Sequence, residues 1–210
     1  MKNGIIFDID GTLWDATDGV TRAWNMVLNA HGFDSVSREF VTSLMGLTRV
    51  QITASILPQL PLEEGLKIMS EASANARKFI GKGYFELFEN EEAILNVLKD
   101  KYDLFILTNA GMQYVDMLYD MTGFKYLFKD QISHGETGLD KTGNMKVLIE
   151  RHHLDKAFYI GDTEGDNQYS KKAGIPFVFV EFGHGKAIDP QYSISSYDEL
   201  PALCERIFGE

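Results

Sequence analysis

Short apolar runs recur along this chain, and a longer segment with helical periodicity separates each run from the next. Runs of this length, rich in β-branched and aromatic side chains, predict buried strands. Strands that alternate with helices of about ten residues predict a parallel sheet with helices on both faces. The predicted strands are Gly4–Phe7, Tyr102–Leu107, a weaker one near Gln131–Ser133, Ala157–Ile160 and Phe177–Phe182.

The interval between the first two predicted strands has helical character throughout. Apolar side chains repeat there at helical spacing, and residues typical of helix ends stand between the repeats. We therefore predict an α/β protein. Its Rossmann-like, three-layer parallel-sheet core comprises residues 1–15 and 84–210, and a small all-helical domain, residues 16–83, is inserted into it. The predicted helices are Val20–Leu28, one begun by Ser37, one begun by Thr48, Glu63–Ile80, Glu89–Lys99, Gln113–Thr122, Asn144–His153, Asn167–Ala173 and Ser196–Ile207.

The charge balance argues against general binding to nucleic acid. The 210 residues include 31 acidic and 20 basic ones, a net charge of −11, whereas nucleic-acid binding needs a basic surface. No apolar stretch approaches the roughly 18 residues of a membrane span. The N-terminal segment has no signal-peptide pattern, and the single cysteine, Cys204, cannot form an internal disulfide. We expect a cytoplasmic protein with neither a membrane nor a nucleic-acid partner.

Polar residues follow three of the predicted strands directly. Asp8–Thr12 follows the first strand, Thr108–Gly111 the second, and Gly161–Asp166 the strand that ends at Ile160. Lys141 lies just before the helix that leads into that last strand. Because ligands bind at the carboxyl ends of parallel strands, we expect these segments to form one site.

The residue types in this predicted site suit phosphoryl transfer. Clustered carboxylates need positive charge among them, and an oxygen-only ligand set is typical of Mg²⁺ bound together with a phosphate. Of the carboxylates at Asp8 and Asp10, one can attack phosphorus and the other can move a proton. Lys141 would place a positive charge beside the transferred group, with Lys146 as a second candidate. Thr108 would hold phosphate oxygens.

These segments resemble the motifs of the haloacid dehalogenase superfamily. The sequence DIDGT (Asp8–Thr12) is similar to its first motif, ILTN (Ile106–Asn109) to its second, Lys141 to its third and GDTEGD (Gly161–Asp166) to its fourth. The helical insertion lies where the subfamily with an α-helical cap carries that cap. The sequence VEFGHG (Val180–Gly185) resembles the tail of phosphoglycolate-phosphatase-like members.

The resemblance implies a role for each carboxylate. Asp8 would attack phosphorus and bind Mg²⁺. Asp10 would protonate the leaving oxygen, deprotonate the attacking water and contact the metal through its backbone carbonyl. Asp162 would be a metal ligand, and Asp166 would either bind the metal through water or orient Lys141.

The resemblance also implies substrate contacts. Thr108 and Asn109 would cradle the phosphate. Arg49 directly follows the segment where this subfamily places a specificity loop, so it is either a ligand for a substrate carboxylate or second phosphate, or a solvated arginine at a helix start. His184, between two glycines, is a candidate for the edge of the site.

The implied activity is Mg²⁺-dependent hydrolysis of a small phosphorylated metabolite through an aspartyl-phosphate. Aspartate at position 10 favours phosphoryl chemistry. A sugar-phosphate mutase resembling β-phosphoglucomutase is the alternative, although Thr12 after Gly11 favours the phosphatases. A non-catalytic binding module on the same fold is a third hypothesis. The sequence leaves both a monomer and a homodimer open.

Overall fold

A single parallel sheet organises the protein. The computed structural model describes residues 1–209, and within them six strands pair in the order β3-β2-β1-β4-β5-β6. Every pairing is parallel, which confirms the predicted fold class. The strands are β1 Asn3–Phe7, β2 Asp103–Thr108, β3 Asp130–Ser133, β4 Lys156–Gly161, β5 Phe177–Val180 and β6 Tyr192–Ile194.

Helices connect the strands, and most of them lie where the sequence predicts. They are α1 Thr17–Ala30, α2 Arg38–Ser43, α3 Arg49–Ile56, α4 Leu62–Ile80, α5 Glu91–Lys99, α6 Met112–Thr122, α7 His134–Thr137, α8 Lys141–His152, α9 Glu164–Ala173 and α10 Leu200–Phe208. Single turns of 3₁₀ helix occupy Phe124–Leu127 and Tyr197–Glu199.

Four details differ from the prediction. The strand expected to run to Phe182 ends at Val180. The structure also contains two elements that the sequence does not predict, the strand β6 and the four-residue helix α7. Lys141 is the first residue of α8 and does not precede that helix, because Asp140 is its N-cap and accepts a hydrogen bond from the Gly143 backbone at 2.8 Å.

The chain divides into two compact units. One comprises Met1–Trp14 together with the chain from Leu87 onward, and the other is Asp15–Glu86. The first unit contains all six strands, and the second is helical, α1 to α4. The function of the helical unit as a cap remains a prediction.

The helical unit is built around α1 and α4. Gly19 on α1 allows the two helices to approach closely, since a Cβ there would lie 2.6 Å from the Ile80 side chain. Ser37 and Thr48 begin α2 and α3 as predicted, and each accepts a backbone N–H of its helix. The carboxylate of Asp15 accepts the Thr17 backbone N–H at 2.9 Å and so supports the start of α1.

The sheet unit buries its central strand completely. Ile5, Ile6 and Phe7 of β1 have no exposed surface. Ile6 faces a core that includes Met145 and Leu148 of α8. Alternate residues of a strand point to opposite faces, so Ile5 and Phe7 face the other layer. Because β1 pairs in parallel with β2 and β4, all three strands end at the same edge of the sheet. The polar segments that follow these strands therefore lie close together.

Candidate active site

The loop after β1 presents two aspartates at the carboxyl edge of the sheet. Asp8 extends the strand, and its backbone N–H donates to the Ile160 carbonyl of β4 at 2.9 Å. The chain then turns sharply, since the Ile9 carbonyl accepts N–H groups from Thr12 and Leu13 at 3.1 and 2.8 Å. Asp8 is buried, and Asp10 is partly exposed. The two carboxylates therefore differ in their exposure to solvent.

Gly11 allows this loop to touch the loop after β4. Its φ of +72° lies in the left-handed region that favours glycine. A Cβ at this position would also lie 2.2 Å from Oδ2 of Asp162, which is too close for any side chain. The glycine of the first motif is therefore needed both for the turn and for close contact with the fourth.

Lys141 is the buried cation of the site. Its Nζ lies 3.0 Å from Oδ1 of Asp8 and 2.7 Å from Oδ1 of Asp166, and the side chain is only 1% exposed. The second candidate from the sequence, Lys146, is exposed. Of the two lysines, the structure thus brings Lys141 into the carboxylate cluster.

Tyr159 of β4 lies beneath this ion pair. Its ring centre is 5.4 Å from the Lys141 Nζ, and its buried hydroxyl donates to the Leu107 carbonyl at 3.2 Å. The aromatic face contributes a further favourable contact to the lysine cation. Tyr159 is not predicted from the sequence as a site residue, because an aromatic residue inside a buried strand is typical of a hydrophobic core.

Backbone groups of the loop after β5 hold Asp162. Its Oδ2 accepts the N–H groups of His184 and Gly185 at 2.7 and 3.2 Å. Gly183 and Gly185 permit this approach, since a Cβ on either would lie within 2.4 Å of Asp162 atoms. His184, a candidate for the site edge, thus contributes its peptide N–H to the site.

Asp166 joins the start of α9 to the lysine. Its Oδ2 accepts from the hydroxyl and the N–H of Thr163 at 2.6 and 3.2 Å, and the Asp166 N–H donates back to the threonine, which forms a capping box. Its Oδ1 bonds Lys141. Both oxygens are therefore engaged, which favours the lysine-orienting role among the two that the sequence left open.

Tyr114 contacts Asp10, although the sequence does not predict it as a site residue. Its hydroxyl donates to Oδ1 of Asp10 at 2.5 Å, and its ring packs edge-on against Trp14, with centroids 5.5 Å apart. The available signal was its position in the first turn of the helix that follows the second motif.

The remaining predicted residues differ in placement. Thr108 is buried at the end of β2, and its Oγ1 accepts the Ala110 N–H at 3.0 Å, which shapes the loop. Asn109 is partly exposed beside it. Arg49 begins α3 in the helical unit, is exposed, and donates to the Ser70 hydroxyl at 3.4 Å.

Burial and the repulsion between neighbouring carboxylates raise the pKa of three aspartates in the site. Burial raises the pKa of Asp162 to about 7, and the neighbouring Asp166 adds to the shift. Burial raises the pKa of Asp10 to about 7 as well, although the Tyr114 hydroxyl opposes the change. The pKa of Asp8 is also raised by burial, with Lys141 opposing it. Burial disfavours the charged Lys141 amine, but Asp166 and Asp8 outweigh this and raise its pKa.

The donor set suits a hard cation. Asp8, Asp162 and Asp166 are buried, and each contributes one carboxylate oxygen that lies within 4.8 Å of the other two. Burial is the main cause that raises the pKa of Asp8 and of Asp162, and the neighbouring carboxylates raise both further. Carboxylate and carbonyl oxygens without sulfur or imidazole are typical ligands of Mg²⁺. The buried acidic cluster can therefore hold a metal ion.

The chain is similar to known proteins over most of its length. Residues 5–180 match the family model described as haloacid dehalogenase-like hydrolase. A phosphoglycolate phosphatase of Aliivibrio fischeri is 25% identical over 214 residues, which cover 95% of this chain and 93% of that protein. Among residues 1–209, no helix combines the length and the apolar composition needed to cross a bilayer.

Solved structures share the fold. A haloacid dehalogenase-like hydrolase from Streptococcus pneumoniae has a TM-score of 0.84 at 22% identity, with 97% of this chain and 98% of that chain covered. A β-phosphoglucomutase from Clostridium difficile has a TM-score of 0.80 at 16% identity and covers 100% of this chain and 98% of its own. At these identities the likeness establishes the fold and leaves the reaction open.

Proposed function

Because the chain belongs to the haloacid dehalogenase-like hydrolase family, we propose that it is a Mg²⁺-dependent phosphatase that hydrolyses a small phosphorylated metabolite. The observation that carries this proposal is the contact of the Lys141 Nζ with the buried Asp8 carboxylate at 3.0 Å, two residues from a second carboxylate at Asp10. This arrangement supplies a nucleophile, a cation to stabilise it and an acid–base group at one strand end.

The first chemical step transfers the phosphoryl group to the protein. A carboxylate oxygen of Asp8 forms a bond to phosphorus as the bond from phosphorus to the leaving oxygen breaks. Asp10 gives its proton to that oxygen, so the product leaves as a neutral alcohol. Lys141 stabilises the negative charge around Asp8. The product of this step is an aspartyl-phosphate at Asp8.

The second step hydrolyses the aspartyl-phosphate. Asp10, now ionised, takes a proton from a water molecule as that water attacks phosphorus. The bond between phosphorus and the Asp8 oxygen breaks, inorganic phosphate leaves, and Asp8 regains its carboxylate. Asp10 ends the cycle protonated, so protons balance over the two steps.

A bound Mg²⁺ would reduce the repulsion between the incoming phosphate and the acidic cluster. We propose Asp8, Asp162 and the backbone carbonyl of Asp10 as its protein ligands. Both oxygens of Asp166 are already hydrogen-bonded, so we propose that it holds Lys141 and reaches the cation only through water.

Three further residues are proposed to bind substrate. Thr108 and Asn109, at the end of β2, would hold phosphate oxygens. Arg49, at the start of α3, would bind a carboxylate or a second phosphate of the substrate. Phosphoglycolate carries both a phosphate and a carboxylate, and the Aliivibrio fischeri relative is named for it, so it is the first compound to assay.

The mutase alternative has weaker support. The solved β-phosphoglucomutase shares the fold at 16% identity, whereas the phosphoglycolate phosphatases match nearly the whole chain at about 25% identity. The Gly11-Thr12 pair also favours a phosphatase. Location in the cytoplasm and the choice between monomer and homodimer remain predictions.

The decisive experiment is an assay of phosphate release from p-nitrophenyl phosphate and phosphoglycolate, with and without MgCl₂. We expect release that requires Mg²⁺ in the wild-type protein and none in Asp8→Asn. Asp116→Asn, an exposed aspartate on α6, is the matched control and should behave as wild type. Unchanged circular dichroism would show that both variants fold.

Retained turnover in a folded Asp8→Asn protein would exclude the proposed nucleophile. Conversion of β-glucose 1-phosphate to glucose 6-phosphate without net phosphate release would replace the phosphatase by the mutase. Absence of turnover together with Mg²⁺ binding by calorimetry would favour the binding module.

A further inference from the structure

Tyr114 is a polar residue of the site that the two chemical steps leave without a role. It lies in the first turn of α6, which begins at Met112. Its hydroxyl donates to Oδ1 of Asp10 at 2.5 Å. The aspartate that would move the proton therefore has a neutral hydrogen-bond donor supplied by a different strand end.

The ring of Tyr114 is itself held in position. It packs edge-on against Trp14, at 5.5 Å between centroids and 74° between planes. The Trp14 carbonyl accepts the Gly11 N–H at 2.9 Å, so Trp14 belongs to the same turn that carries Asp10. Packing against this turn fixes the ring, and the ring directs the hydroxyl at the carboxylate.

The buried cation, Lys141, forms its ion pairs with two other carboxylates of the cluster. The Nζ of Lys141 bonds Asp8 and Asp166, at 3.0 and 2.7 Å. Asp10 lies on the loop after β1, outside the regular strand, so its side-chain contacts decide which rotamer its carboxylate adopts. A proton donor must lie within hydrogen-bond reach of the atom it serves, and a displacement of about 1 Å can cost about 100-fold in rate.

We propose that Tyr114 is a positioning residue whose hydroxyl holds the Asp10 carboxyl in the orientation that transfers a proton to the leaving oxygen. The inference rests on the proposed function, in which Asp10 is the acid–base group. It goes beyond that function because it assigns a task to a side chain outside the carboxylate and lysine motifs.

The leaving group distinguishes positioning from simple packing. A poor leaving group needs the proton from Asp10, whereas a good one departs as an anion without it. The ratio kcat/KM reports steps up to the first irreversible one, here phosphoryl transfer to Asp8. A change of kcat/KM that depends on the leaving group therefore reports on proton donation, whereas loss of packing would affect all substrates equally.

The test compares phenyl phosphate, the poorer leaving group, with p-nitrophenyl phosphate in the Mg²⁺-loaded enzyme. For Tyr114→Phe we expect kcat/KM to fall about tenfold with phenyl phosphate and less than about twofold with p-nitrophenyl phosphate. The matched control is Tyr119→Phe on the same helix, whose hydroxyl donates to Gln131 at 3.1 Å. It should leave both values unchanged.

Each other outcome has a separate meaning. Equal losses with the two substrates, or no loss with either, would overturn the positioning role of Tyr114. Asp10→Asn should show the same dependence with a larger loss. If it hydrolyses both substrates at wild-type rates, the assigned role of Asp10 fails, and the inference about Tyr114 fails with it. Absence of wild-type hydrolysis would overturn the proposed function itself.

Discussion

Replacement of Gly11 by alanine tests the contact between the loops after β1 and β4. Gly11 has a φ of +72°, and a Cβ there would lie 2.2 Å from Oδ2 of Asp162 and 2.9 Å from Cδ2 of His184. Asp162 cannot keep its place unless the turn after β1 moves. The matched control is Gly123→Ala at the end of α6, where φ is +75° and no atom beyond the adjacent residues lies within 4 Å of the added Cβ.

The two substitutions share one energetic cost and differ in the other. Forcing alanine into the left-handed region costs about 1 kcal/mol in both variants. Overpacking adds about 1–3 kcal/mol at Gly11 only. We therefore expect Gly123→Ala to lower the free energy of unfolding by about 1 kcal/mol and Gly11→Ala by about 2–4 kcal/mol.

Urea denaturation followed by circular dichroism measures these differences, and steady-state kinetics measures the consequence for the site. Displacement of Asp162 or the β1 turn by about 1 Å should lower kcat/KM of Gly11→Ala by about 100-fold, with Gly123→Ala unchanged. If the two variants are equally stable and equally active, the close contact between Gly11 and Asp162 does not exist in solution and the reasoning is refuted.

Two further predictions concern pH. Burial raises the pKa of Glu91 in the folded protein well above its ordinary value. The stability that is present below the unfolded-state pKa is therefore lost as pH rises through the folded-state pKa. Between about pH 5 and about pH 9, the free energy of unfolding measured in urea should fall less for Glu91→Gln than for the wild type. Burial likewise raises the pKa of Asp10 and Asp162 to about 7, so ionisation should destabilise the metal-free protein as pH rises through 7. MgCl₂ should then raise the thermal midpoint more at about pH 8 than at about pH 5.5, and an equal rise at both would contradict a carboxylate site.

The elements that the sequence predicts well are those with strong local signals. β1 is a continuous apolar run that ends in acids, and its position and burial are as expected. β6 was missed because Tyr192–Ile194 is a three-residue edge strand with one buried side chain, too short for a periodic pattern. The turn α7 was missed for the same reason.

Site residues divide in a similar way. The motifs indicate Asp8 and favour Lys141 over Lys146, and the structure agrees in burying Lys141 and leaving Lys146 exposed. Tyr114 was missed because its contact with Asp10 joins residues 104 positions apart and depends on the direction of one side chain. The two hydrogen bonds to Asp162 were not predicted, because their donors are backbone N–H groups, which almost every residue type has.

The hydrogen bonds from the backbone to Asp162 have a consequence for how the substrate specificity of such an enzyme can change. The two donors are the peptide N–H groups of residues 184 and 185, so exchange of the His184 side chain for any residue other than proline leaves both donors in place. Gly183 and Gly185 are restricted, because a Cβ on either would collide with Asp162. Among these three consecutive residues, position 184 can therefore vary while its neighbours stay glycine, and libraries at residue 184 can explore new substrates without removing the anchor of the fourth motif.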